Sequence, residues 1–146
     1  MSRLRITEIF YSLQGETSRI GLPTVFIRLT GCPLRCRYCD SAYAFTGGES
    51  LEISDILARV AEYSPRHVCV TGGEPLAQKA VLELLTDLAD ADYSVSLETS
   101  GALPVDAVDQ RISRIVDIKT PGSGEVDRMC WDNLAQLNAQ DEIKFV

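Results

Sequence analysis

The sequence predicts an α/β domain, a partial (open) βα barrel with parallel strands. Three observations predict it. Stretches rich in β-branched and aromatic residues alternate with stretches whose apolar residues recur at i, i+3, i+4 and i+7, as strands alternate with amphipathic helices in βα units. The turns with unusual residue groups all follow predicted strands: a cysteine loop, Gly72-Gly73-Glu74-Pro75, Glu98-Thr99-Ser100-Gly101 and Asp117-Ile118-Lys119-Thr120-Pro121-Gly122. In βα barrels the chemistry gathers at the C-terminal ends of the strands. The length, 146 residues at 45% apolar and 24% charged, fits one domain over 1–146.

Arg5 to Tyr11 alternates as a short strand, and Ser12 to Thr17 turns with Gly15 as its breaker. Thr24 to Leu29 is a second strand that runs straight into the cysteine loop. Thr46 to Ser50, with paired glycines, reads as a flexible joint. Ile53, Ile56, Leu57 and Val60 share one helix face, with Ser54 or Asp55 as N-cap and Ser64-Pro65 as the stop. His67 to Thr71 is a strand closed by Gly72-Gly73-Glu74-Pro75, and Pro75 suits the first turn of a helix bearing Val81, Leu84, Leu85 and Leu88 on one face. Ser94 to Glu98 is a strand, Pro104 to Gln110 a short helix and Ile115 to Lys119 a strand. Thr120 to Gly124 is a loop, Trp131, Leu134, Ala135 and Leu137 mark a helix face, and Glu142 to Val146 begins a last strand. A domain ordinarily covers its last edge, so further strands are expected beyond Val146. No internal repeat, low-complexity tract or linker interrupts the chain.

Three of the five cysteines, Cys32, Cys36 and Cys39, lie within eight residues at C-x3-C-x2-C spacing. Soft thiolates so spaced hold zinc or an iron–sulfur cluster. A closed structural zinc site takes four ligands, and this stretch offers three thiolates and no histidine. Three thiolates on a four-iron cluster leave one iron open for chemistry; zinc with a distant fourth ligand is the alternative. A net charge of −7 disfavours a nucleic-acid surface. Arg35 and Arg37, beside Cys36, read either as a solvated loop or as a phosphate or redox-partner contact. No run approaches the ~18 apolar residues that span a bilayer, and the start alternates rather than forming a leader's apolar core. The expectation is a cytosolic, reducing location, where five cysteines point to metal binding rather than disulfides. Cys69 reads as a small core residue, His67 as structural and Trp131 as core packing, while Cys130 has no partner cysteine nearby.

The cysteine spacing, with Tyr38 before the last cysteine, resembles the radical S-adenosylmethionine (SAM) superfamily signature. The resemblance implies a radical SAM-type barrel with Cys32, Cys36 and Cys39 on a 4Fe–4S cluster. It also implies SAM contacts from Tyr38, Cys39, Asp40, Gly73, Glu74, Ser100, Asp117, Ile118 and Lys119. The stretch Phe10-Tyr11-Ser12-Leu13-Gln14-Gly15-Glu16, with Cys39-Asp40-Ser41, more closely resembles the 7-carboxy-7-deazaguanine synthases of queuosine and deazapurine biosynthesis. That resemblance runs from Glu8 to the Asp-Ile-Lys-Thr-Pro-Gly-Ser-Gly stretch and implies further strands after Val146. It implies a lyase that converts 6-carboxy-5,6,7,8-tetrahydropterin to 7-carboxy-7-deazaguanine with loss of ammonia. SAM would be cleaved and reformed, Ser41 would be a Mg2+ ligand, and an electron donor such as flavodoxin and a homodimer would be the partners. No side chain is expected to abstract hydrogen.

The residues fit that substrate. A flat pterin with amide-like edges needs in-plane donors and acceptors, which Leu13, Gln14, Gly15 and Glu16 can offer. Its carboxylate needs a cation, and Arg28 can give two parallel hydrogen bonds. Thr71 is expected to point toward the substrate. Two rivals share parts of the pattern: a radical SAM glycyl-radical activase, which would not explain Phe10 to Glu16 or Arg28, and a non-catalytic zinc-binding domain. If the thiolate assignment is right, Cys36→Ala abolishes cluster-dependent SAM cleavage; unchanged 5′-deoxyadenosine release by the variant would refute it.

Overall fold

The computed structural model describes residues 2–31, 47–119, 121–125 and 128–145. Strands β1 (Arg3–Leu13), β2 (Pro23–Leu29), β3 (Glu49–Glu52), β4 (His67–Gly72), β5 (Ser94–Thr99), β6 (Ser113–Ile118) and β7 (Glu142–Phe145) form one sheet. Their order is β3-β1-β2-β4-β5-β6-β7, open at both ends. From β2 through β7 every pairing is parallel, as expected. β1 departs from that pattern, lying antiparallel to both β2 and β3. Helices α1 (Ile53–Ala61) and α2 (Val81–Asp90) complete the α/β frame.

The two faces of the parallel strands differ in chemistry. Val25, Ile27, Leu29, Val68, Val70, Val95 and Leu97 join Ile53, Ile56 and Val60 of α1 and Val81, Leu84, Leu85 and Leu88 of α2 in one buried core. Their strand neighbours point the other way: Phe26, Arg28, Cys69, Thr71, Ser96, Glu98, Ile115, Asp117, Glu142 and Lys144. Register confirms the shared face, because Phe26 pairs with Cys69, Arg28 with Thr71, Cys69 with Ser96 and Asp117 with Lys144. A parallel sheet packed on both sides reads as continuous apolar strands; this one alternates, and its second face is lined with polar groups.

Several local expectations are corrected. The first strand runs on to Leu13, and the turn spans 14–22, with left-handed backbone at Thr17 and Gly21 rather than at Gly15. The flexible joint is partly β3, whose Glu49 to Glu52 pair with Ile6 to Arg3. That strand feeds α1 directly, so Glu52 stands at the N-cap, its side chain making no capping bond and meeting Arg3 instead, and Ser54 and Asp55 fall inside the helix. The helix expected to start at Pro75 is two pieces, a 3-10 turn over Pro75–Ala77 and then α2. The stretch 104–110 forms turns instead of a helix, pinned by buried Val105 and Val108. Trp131–Gln136 is a 3-10 segment that buries Asn133 and leaves Trp131 and Leu134 exposed, so Trp131 is not core packing. Among the described residues no helix is long and apolar enough to cross a membrane.

β6 is tied to the connection before β7 by a buried ion pair, Arg114 to Asp141 at 2.8 Å, with side chains 0% and 1% exposed. Arg114 also donates to the carbonyls of Gln136 and Val105, so its donors are satisfied where water does not reach. Removing one partner of such a pair strands the other charge. Asp141→Asn is therefore expected to destabilise the fold by about 3–5 kcal/mol in urea titration; a loss under ~1 kcal/mol, the surface-pair range, would show that the charge is solvated.

Candidate functional site

The site is built where the parallel strands end. β2 leads through Thr30 to Gly31, the residue before Cys32. Cys32, Cys36, Tyr38, Cys39, Asp40 and Ser41 lie outside the described residues. Both flanks of that segment are held. The Thr30 amide donates to Arg5 O at 3.0 Å, and Thr30 Oγ1 lies 2.9 Å from Thr7 Oγ1. Gly48, on the far flank, packs so tightly that an added Cβ would sit 2.2 Å from Thr30 Oγ1.

The Gly72-Gly73-Glu74-Pro75 turn docks against Gly31. The Glu74 amide donates to Gly31 O at 2.6 Å, and a Cβ on Gly73 would sit 2.0 Å from the same oxygen. Only a residue without a side chain lets two backbones come this close. Gln78 reinforces the joint by donating to the carbonyls of Arg5 and Thr30 and accepting from the Arg5 amide.

Glu74 is fully buried. Its Oε1 accepts from Thr99 Oγ1 at 2.9 Å and from Ser100 N and Oγ at 2.7 Å, while Oε2 accepts from the Leu76 amide at 2.9 Å. The carboxylate thus fastens the β4 turn to the Glu98-Thr99-Ser100-Gly101 turn after β5 through charge-assisted hydrogen bonds. A second brace holds that turn from the other side. Cys130 N donates to Gly101 O at 2.7 Å, and Asn133 Nδ2 donates to the carbonyls of Gly101 and Leu103. After β6, Lys119 meets Asp117 at 3.3 Å. Ile118 points to the opposite face, where it packs with Val116 and Met129.

On the polar face, Arg28 Nε donates to Glu8 Oε2 at 3.0 Å and Nη1 approaches Gly72 O at 3.4 Å, with Thr71 as its register partner. The turn after β1 folds onto the same face. Gln14 is buried beside Cys69, and its Nε2 faces the thiol sulfur, a weak acceptor, without a hydrogen bond of ordinary geometry to any described residue. Cys69 is buried as expected, but among polar groups: it donates to Glu98 Oε2 at 3.1 Å. Burial and then the Glu98 carboxylate push its thiol well above the ordinary range. Glu16 reaches Lys144 of β7, and Ser18 donates to Glu142 through N and Oγ at 2.9 and 2.7 Å.

The structure therefore gathers Gly73, Glu74 and Ser100 at one strand end, Arg28 and Thr71 beside them, and Gln14 and Glu16 on the same face. Asp117 and Lys119 join through Lys144, which lies 3.3 Å from Asp117 and 2.9 Å from Glu98. Leu13 and Gly15 stand on the exposed side of the turn. Sequence reading missed Gln78, Asn133, Glu98 as a side chain, and Lys144. The last two had a signal: a polar residue at every second position of β5 and β7, the strands that carry them.

Residues 26–120 match the radical SAM superfamily profile. The 7-carboxy-7-deazaguanine synthase of Chlorobaculum tepidum is 47% identical over 97% of this chain and 65% of the relative. The enzyme of that name from Thermoplasma acidophilum is 38% identical over 97% of this chain and 68% of the relative. Among solved structures, QueE from Escherichia coli superposes with a TM-score of 0.82 at 29% identity, covering 98% of this chain and 71% of that one. The chain spans about 65% of the length of curated relatives it matches.

Gly73→Ala is expected to cost about 1–3 kcal/mol of stability by chemical denaturation, because the Gly31 backbone has to move. Gly15→Ala, whose Cβ meets nothing within 4 Å, is expected to cost far less. Equal midpoints for the two variants would mean that the Gly31–Gly73 approach is not closed in solution.

Proposed function

The chain belongs to the radical SAM superfamily and, within it, to the 7-carboxy-7-deazaguanine synthase family, and on that premise we propose that it forms the catalytic core of a cytosolic lyase turning 6-carboxy-5,6,7,8-tetrahydropterin into 7-carboxy-7-deazaguanine with release of ammonia. One observation carries the reading. Phe10, Gln14 and Glu16, remote in sequence from the strand-end turns, lie on the polar face that also carries Arg28 and Thr71, through Phe26, Cys69 and Lys144, which supports reading them as one site.

The residues fit the groups the reaction needs. The Gly31–Gly73 contact places the glycine turn directly beside the start of the cysteine segment. The thiolates of Cys32, Cys36 and Cys39 are the donor set for a 4Fe–4S cluster. Together with SAM, that cluster would supply, when bound, the 5′-deoxyadenosyl radical that takes hydrogen from C6 of the pterin. A flavodoxin-type protein is the proposed electron donor, and Ser41 the protein ligand for Mg2+. Tyr38, Cys39, Asp40, Gly73, Glu74, Ser100, Asp117, Ile118 and Lys119 are proposed to contact SAM, Ile118 through its backbone because its side chain packs with Val116 and Met129 on the other face. Glu74 would do so through its backbone carbonyl, which keeps a lone pair beyond the one taken by Ala77, since its carboxylate is engaged by Thr99, Ser100 and Leu76 and its amide by Gly31.

Arg28 supplies the planar, permanent cation that a carboxylate needs, with Thr71 next to it. The buried Gln14 amide, whose N–H has only the weak Cys69 sulfur beside it, is the kind of donor a heterocycle edge can pair with. Leu13, Gly15 and Glu16 contribute the rest of the turn. These residues bind, orient and shield; none is required to abstract hydrogen.

Anaerobic turnover with the carboxylated pterin, SAM, reductant and magnesium should yield deazapurine and ammonia with SAM preserved. SAM consumed without product would overturn the proposal. Arg28→Ala should raise the KM for the pterin by roughly 10–100-fold, the worth of a charge-assisted pair, with SAM affinity within about twofold of wild type; equal loss of both would point to misfolding.

A further inference from the structure

Glu16 sits on an exposed turn, its side chain 62% accessible. A carboxylate in such a place has no preferred direction of its own, because fixing a long side chain costs rotamer entropy. The cation that meets it comes from the other end of the chain. Lys144 of β7 touches Glu16 Oε2, Glu98 Oε1 at 2.9 Å and Asp117 Oδ1 at 3.3 Å, and its side chain is only 20% exposed. Burial works against its charge, but Glu16, Glu98 and Asp117 outweigh burial and hold the ammonium above the ordinary lysine range.

The hub has supports on both sides. Glu98 is anchored to Cys69, and Asp117 takes Lys119 on its other oxygen. The turn itself is fastened a second time through Ser18 to Glu142, on the same face and two residues before Lys144. An isolated surface pair would be worth little; this ammonium is largely enclosed and shared by three carboxylates. Lys144 occupies Oε2 of Glu16, so Oε1 is the atom that can meet a ligand's N–H donors. Around the hub, the carboxylates of Glu16, Glu98 and Asp117 outnumber the ammoniums of Lys144 and Lys119, a balance suited to an N–H edge.

We propose that Lys144 is a positioning residue for substrate recognition: it sets the Glu16 carboxylate, and with it the turn from Gln14, on the polar face before the substrate arrives. The proposal rests on the reading that this turn receives the carboxylated pterin, and it adds a residue outside every motif.

The test compares Lys144→Met and Lys144→Arg in anaerobically reconstituted protein, measuring pterin KM, SAM affinity, cluster absorbance and amide hydrogen exchange over 15–20. Lys144→Met should raise the pterin KM about tenfold and speed exchange in the turn about tenfold or more, leaving cluster absorbance unchanged and SAM affinity far less affected than the pterin KM, because Asp117 keeps its bond to Lys119. Lys144→Arg should restore most of both losses. Unchanged KM and exchange in Lys144→Met would overturn the proposal. So would faster exchange throughout the sheet accompanied by lost SAM affinity, which is the mark of a purely structural lysine. If the wild-type protein does not take the pterin, the reading beneath the proposal has failed; local acceleration of exchange then still supports Lys144 as the fixer of the turn, and its absence overturns that role too.

Discussion

A buried carboxylate with no cation beside it among the described residues, Glu74, organises the strand-end site. Both its oxygens are used, one by Thr99 and Ser100 and the other by Leu76, and its own amide is bonded to Gly31. Leaving such a group unpaired in the interior would be very costly. The β4 turn, the β5 turn and the end of β2 therefore hold together as a unit, and the residue before Cys32 is placed by the same unit. The glycines serve the same constraint from the steric side: Gly73 admits the Gly31 backbone, and Gly101 admits Met129 and Val116.

The second organising feature is the division of the sheet into an apolar face packed by α1 and α2 and a second face that carries paired charges. Charges on a partly buried face are tolerated when they are paired. Here Arg28 meets Glu8, and Lys144 meets Glu16, Glu98 and Asp117. The antiparallel β1–β2 hairpin makes this arrangement possible. Its turn is long enough to cross from β2 toward β7, with Arg19 donating to Ser94 of β5 on the way. The first strand thus serves the site as much as the sheet.

The sequence was most legible where a single period dominated. The face of α2 read from Val81, Leu84, Leu85 and Leu88 is the buried face found, and the strands of the parallel region fall within a residue or two of their expected places. It was least legible where short segments are decided by distant partners. β3 is a strand because β1 lies beside it; Glu49 to Glu52 carry little β-propensity. The 131–136 segment buries Asn133 rather than Trp131 because Asn133 caps the β5 turn and the Val105 amide, a gain that no hydrophobic period encodes.

By itself the sequence determined the class of fold, the number and spacing of the clustered cysteines and the strand-end motifs, because these are properties of spacing along the chain. Only the tertiary structure decided which of those motifs meet. Glu74 closing on Ser100, Glu16 on Lys144 and Gln14 beside Cys69 join residues separated by 26, 128 and 55 positions. Contacts of that range are set by strand order and register, which depend on the packing of the whole sheet and have no local signature in the chain.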